Sequence, residues 1–120
     1  VALNKNWSDE LIKRYGELDF GTPHRQLIIA ESWIQGRPGN ASLLVTLGRL
    51  AMRNELWGKA REYFDTSIEV APQAEAHGEL ARLLKCLGEE QLADEHQEKF
   101  VEGIGGELPS LPMPKDLGKA

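Results

Sequence analysis

An all-α fold, a superhelix of about three antiparallel helix pairs, is predicted by three observations. Apolar residues recur at helical spacing over most of residues 8–104. No segment shows sustained period-two alternation, so no sheet is expected. And one central block is followed by a relaxed copy of itself, the signature of a repeat architecture.

The central block is residues 41–72, ASLLVTLGRLAMRNELWGKAREYFDTSIEVAP. Numbered from Ala41, Leu44 falls at position four, Leu47 at seven and Gly48 at eight. Ala60 falls at twenty, Phe64 at twenty-four and Pro72 at thirty-two. Large residues at four and seven form one face of a first helix, and small residues at eight and twenty let two helices approach. The proline ends the second helix because it has no N–H to donate. This is the tetratricopeptide (TPR) pattern, whose period is about 34 residues.

Residues 74–104 repeat the layout. Leu80-Ala81 and Ala93 stand 33 residues after Leu47-Gly48 and Ala60. Gly88 marks the inter-helix turn, and Phe100 supplies the late anchor of the second helix. Gly78 and Gln97 stand where larger apolar residues are usual, as expected of a terminal repeat that lacks a neighbour. Residues 7–38 read as a degenerate third unit. Ser8 is a candidate N-cap for a short helix with Leu11, Ile12 and Tyr15 on one face. Gly21 and Pro23 lie in a loop, a second helix carries Leu27, Ile28, Ala30, Trp33 and Ile34, and Gly36-Arg37-Pro38-Gly39 stops it. Asn40 caps the next helix. The predicted helices are 8–16, 24–36, 41–54, 57–71, 74–87 and 90–104. They form a domain over 1–104. The Pro/Gly-rich stretch 105–120 reads as a flexible tail, with a strip lying in a groove as the alternative for 108–114.

At this stage the residues support a resemblance. Trp7, Leu11-Ile12 and Tyr15-Gly16, then Gln26-Leu27, Ala30-Glu31 and Trp33, lead to Leu43-Leu44, Leu47-Gly48-Arg49-Leu50 and Leu56-Trp57-Gly58-Lys59-Ala60-Arg61. This series resembles the C-terminal TPR region of the HemY proteins of proteobacterial haem biosynthesis, over about residues 7–104. The resemblance implies TPR units on the cytoplasmic side of the inner membrane, behind an N-terminal helical hairpin. It implies a link to late protohaem synthesis and carries over no catalytic residue. A start at Val1 rather than Met suggests a segment of a longer protein whose anchor lies upstream.

Charge and chemistry narrow the function further. A net charge of −5 and a pI near 5.2 argue against a general nucleic-acid binder. The single cysteine, Cys86, makes neither an internal disulfide nor a CxxC site. No apolar run approaches the roughly 20 residues of a membrane span. His24, His77 and His96 form no HExxH motif and read as surface or capping groups rather than metal ligands. Glu89-Glu90, Asp94-Glu95 and Glu98 read as a solvated helix face, with Glu95 and Lys99 at pairing distance. Trp7, Trp33 and Trp57 read as core or staple residues rather than ligand-stacking ones. No phosphate-binding loop or nucleophile constellation emerges, so a binding module is expected rather than an enzyme, with no cofactor.

The expected site is the inner face of the first helix of each repeat. In the central repeat that face is Ser42, Val45, Arg49, Met52 and Arg53; in the next it is Glu75, Gly78, Arg82, Lys85 and Cys86. The partner groove is therefore Arg49, Met52, Arg53, Gly78, Arg82 and Lys85. Its basic strip suits carboxylates, and Gly78 leaves room for a partner. The competing reading is that these cations pair with Glu55, Glu79 or Glu89. Expected partners are late haem-biosynthesis enzymes or an acidic peptide or helix. Two alternatives are haem or porphyrin carriage through His77 and Cys86, and self-assembly through Leu92, Phe100 and Ile104.

Overall fold

The computed structural model describes residues 8–18, 21–103 and 108–115. Among them lie six α-helices and no strand. They are α1 (Asp9–Glu17), α2 (Pro23–Ser32), α3 (Ala41–Arg53), α4 (Trp57–Val70), α5 (Ala74–Cys86) and α6 (Glu90–Glu102). The chain is all-α, with helix limits close to those the apolar spacing predicts. The largest difference is α2, which ends at Ser32 and gives way to turns at 33–36. Trp7 and Ile104 lie outside the described residues.

Local chemistry sets the helix ends. Asn40 accepts a hydrogen bond from the Leu43 amide at 2.8 Å, and Ser8 accepts one from Leu11 at 3.3 Å. The turns after α3 and α5 are the same turn in the same register. Glu55 and Gly88, 33 residues apart, both have positive φ, at 58° and 84°. The amide after each reaches back five residues, Leu56 to Ala51 at 2.9 Å and Glu89 to Leu84 at 3.0 Å. This satisfies helix carbonyls that would otherwise be orphaned.

Two helical hairpins follow, α3 on α4 and α5 on α6, and α4 also packs on α5. Each hairpin closes through a glycine facing an aromatic ring. A Cβ on Gly48 would penetrate the Phe64 ring. One on Gly78 would come within 2.6 Å of Phe100. Gly78 is thus filled from its own hairpin, which corrects the expectation that it leaves room for a partner.

The first unit departs from the predicted pair. α1 and α2 do not pack on each other; both pack on α3. Gly16 lets α1 approach closely, since a Cβ there would be 3.0 Å from Thr46 Cα. The Thr46 hydroxyl donates to the Ile12 carbonyl at 2.7 Å. Ile12 is buried, but Leu11 is 54% exposed, so the expected face is narrower than Leu11, Ile12 and Tyr15 together. Trp33 is buried against Tyr15, with ring centroids 5.3 Å apart. From α2, Glu31 reaches α4, accepting from Tyr63 at 2.6 Å and pairing with Lys59 at 2.7 Å. Surrounded by α1, α2, α4 and α5, helix α3 is buried on all faces from Ala41 to Met52.

Gly48→Val is expected to lower unfolding stability by about 2–3 kcal/mol, because the Phe64 ring has nowhere to move. Gly58→Ala, with open space at its Cβ, serves as the control and should be neutral or slightly stabilising. Urea unfolding of both variants checks this; equal midpoints would contradict the hairpin packing.

Candidate functional site

Burial of α3 changes the meaning of the expected groove. Arg49 is 1% exposed and Glu79, from α5, is 0% exposed. Arg49 Nε donates to Glu79 Oε2 at 2.7 Å. Arg82 Nε donates to the other carboxylate oxygen, Oε1, at 2.8 Å. One carboxylate is therefore clamped by two guanidinium groups, one from α3 and one a turn further along α5. Arg49 Nη1 lies 3.7 Å from the Glu17 carboxylate of α1. Arg53 donates to the Glu17 carbonyl at 2.7 Å. Lys13 of α1 pairs with Glu75 of α5 at 3.2 Å. Between them these contacts tie α1 to both α3 and α5.

The expected site residues accordingly separate into two groups. Arg49 and Met52 are buried in the core, and Gly78 is buried under Phe100. The picture of a free basic strip is corrected here: Arg49 and Arg82 are paired through Glu79, and Arg53 is engaged by α1. Their physical reason is desolvation, since a guanidinium taken from water must meet a carboxylate. Arg82 keeps a solvent edge, and Lys85 is exposed. Both line a cleft of about 450 Å³ between α5 and α6, opposite Asp94 and Gln97. Glu79 is the residue sequence reasoning placed only as a possible neutraliser. Its spacing of three from Arg82 signals an ion pair, while its burial depends on α3 and α1 arriving from far along the chain.

A second surprise is residues 108–115. They are extended, with Leu111 only 8% exposed and packed, with Met113 beside it, against the core shared by α3, α4, α5 and α6. Pro114 is buried too. Arg82 Nη2 donates to the Pro109 carbonyl at 2.6 Å. For these residues the flexible-tail expectation is corrected in favour of a strip seated on the helices. The cause is the apolar surface that Leu111 covers, together with Arg82, which Glu79 holds in place.

His77 and His96 meet across α5 and α6, with their Nδ1 atoms 2.9 Å apart. Burial pushes both below the ordinary histidine range, and for His77 the neighbouring His96 and Lys99 add to it. Around His96, Asp65 and Glu95 oppose the shift and Arg61 assists it. His77 and Cys86 lie nine residues apart on one helix, a span of about 13 Å. No group of three or more His, Cys, Asp or Glu among the described residues is placed to hold a metal. For self-assembly, Leu92 is partly exposed, whereas Phe100 is half-buried against Gly78.

Among the described residues no helix is long and apolar enough to cross a membrane. Comparison with protein-family models, curated proteins and solved structures gives no match in any of the three.

Glu79→Ala leaves Arg49 buried with only the longer 3.7 Å contact to Glu17 as counter-charge. It is expected to cost about 3–5 kcal/mol, and the joint change Arg49→Met with Glu79→Leu to recover most of that loss. Urea unfolding of the single and double variants measures both; a loss below 1 kcal/mol in Glu79→Ala contradicts the network. The histidine pair predicts a pH effect. Both folded-state pKa values lie below the unfolded value of about 6.5, so the unfolded chain binds more protons as pH falls through that range. Stability is full well above about pH 6.5 and declines as pH falls through and below it, and His77→Gln flattens the decline. An unaltered slope in the variant contradicts it.

Proposed function

We propose that this chain is a protein-interaction module, a TPR-like segment of a HemY-like protein that scaffolds late protohaem synthesis on the cytoplasmic side of a bacterial inner membrane. The single observation that supports an interaction role is residues 108–115. The helical framework already holds an extended main chain, through an arginine aimed at a backbone carbonyl and an apolar seat for Leu111. A surface that seats one extended segment has the elements that peptide recognition requires: fixed donors, apolar seats and a rigid scaffold. The HemY assignment rests on the residue series from Trp7 to Arg61.

The accessible cations are where a partner's carboxylates would meet the module. Lys85 is exposed, and Arg82 keeps part of its surface open beside it. Arg49 is unsuitable as a probe, because reversing a buried charge unfolds the domain whatever the surface does. Binding of the full chain to purified late haem-pathway enzymes is measured by biolayer interferometry, with Lys85→Glu as the probe. The expected result is binding by the native chain, weakened about tenfold or more in the variant, with steep salt dependence. No binding to any of these enzymes overturns the haem assignment. Binding that is indifferent to Lys85→Glu overturns the cleft as its site.

A further inference from the structure

The geometry points to residues 108–115 as a cis-acting occupant of a peptide groove. The partner class that this groove takes is then an extended, proline-spaced apolar segment, which enters by displacing the chain's own. This rests on the interaction-module reading and specifies its ligand.

Four observations carry it. The segment is LPSLPMPK, with prolines at 109, 112 and 114. Leu111 and Pro114, three apart, are buried, Leu108, Pro109 and Met113 are half-buried, and Ser110, Pro112 and Lys115 face solvent. Proline-spaced extended chain of the polyproline II kind forms no internal hydrogen bonds. The three prolines bring no N–H groups, so an apolar seat leaves few donors to satisfy. And the polar contact that fixes it, Arg82 Nη2 to the Pro109 carbonyl at 2.6 Å, reads main chain rather than a side chain.

Arg82 is prepared for this contact from behind. Its Nε and Nη2 both meet Glu79 Oε1, and Glu79 is in turn held by Arg49, so the guanidinium plane is fixed and the same Nη2 reaches the Pro109 carbonyl from a set position. A fixed donor and a pre-extended ligand both lower the ordering cost of binding. Any segment that places an apolar residue two positions after a carbonyl facing Arg82, and a proline three further on, reproduces the contacts of Leu111 and Pro114. The groove is therefore selective for spacing rather than for charge. The short connection between Gly103 and Leu108 keeps the cis segment at an effective concentration of the order of mM, so a ligand in trans meets continuous competition.

The test uses the full chain and a fluorescent synthetic peptide of sequence LPSLPMPK, read by polarisation. Leu111→Glu drives the cis segment off its apolar seat. The expected result is peptide binding about tenfold or more tighter in this variant than in the native chain, lost again when Arg82→Ala is added. A peptide with Glu in place of its second leucine should not bind. Met113→Glu, at a half-buried position, gives the same comparison if Leu111→Glu unfolds the helices, as judged by circular dichroism. Equal affinity for native and variant chains overturns the inference, and so does an absence of binding in a folded variant. Either result, alongside retained binding to a protein partner, leaves the interaction-module reading standing and removes only its ligand class.

Discussion

Glu79 places its carboxylate at a position with no exposed surface, on α5 where it faces α3. Taking such a charge from water costs several kcal/mol, and only close, well-directed partners offset it. Each oxygen of this carboxylate has one: Arg49 Nε at 2.7 Å from α3 and Arg82 Nε at 2.8 Å from α5. Direct packing between α3 and α5 is slight, so the ion network is their principal polar link, with α4 packed on both. The network also sets direction. Held to Glu79 Oε1 through Nε and Nη2, the Arg82 guanidinium is fixed in orientation, and the same Nη2 meets the Pro109 carbonyl.

Besides Arg49 and Arg82, basic residues of this acidic protein pair across helices nearer the surface. Arg49 and Arg82 neutralise Glu79, Arg61 pairs with Glu89 at 2.5 Å, and Lys59 pairs with Glu31. Arg61 joins α4 to the turn before α6 and Lys59 joins α4 to α2, so each pair fixes one helix against another. Burial disfavours ionisation of Glu31, but Lys59 and the Tyr63 hydroxyl outweigh it and hold the carboxyl below its ordinary range. The Tyr63 hydroxyl is raised well above its own range, by burial first and by Glu31 second. Arg49, Arg53 and Arg82 are thus engaged within the fold, and Lys85 is left as the exposed positive group of the expected groove.

The helices were legible because their signals are local. Asn40 as a cap, Gly88 in a turn and the 33-residue echo of Leu47-Gly48 in Leu80-Ala81 depend on near neighbours alone. The turn at Glu55 was less so, since a glutamate in the left-handed region gives no composition signal. The site was misread for a long-range reason. Repeat register places Arg49 and Met52 on an inner face, but whether that face meets solvent depends on α1, which lies on α3 instead of pairing with α2. Residues 108–115 were misread for a related reason. Prolines and glycines predict a chain without helix, which is correct for those residues, yet Leu111 is buried by a surface built from residues far upstream.

The account depends on a sequence of contacts running from Glu79 through Arg82 to the extended strip. Methyl NOEs from Leu111 in the full-length protein test it most directly, compared between the native chain and Arg82→Met. The account predicts NOEs from Leu111 to methyl groups of the α3–α5 core in the native protein, weakened in the variant while the helical amide shifts stay in place. A native Leu111 with random-coil shifts and no core NOEs would contradict it.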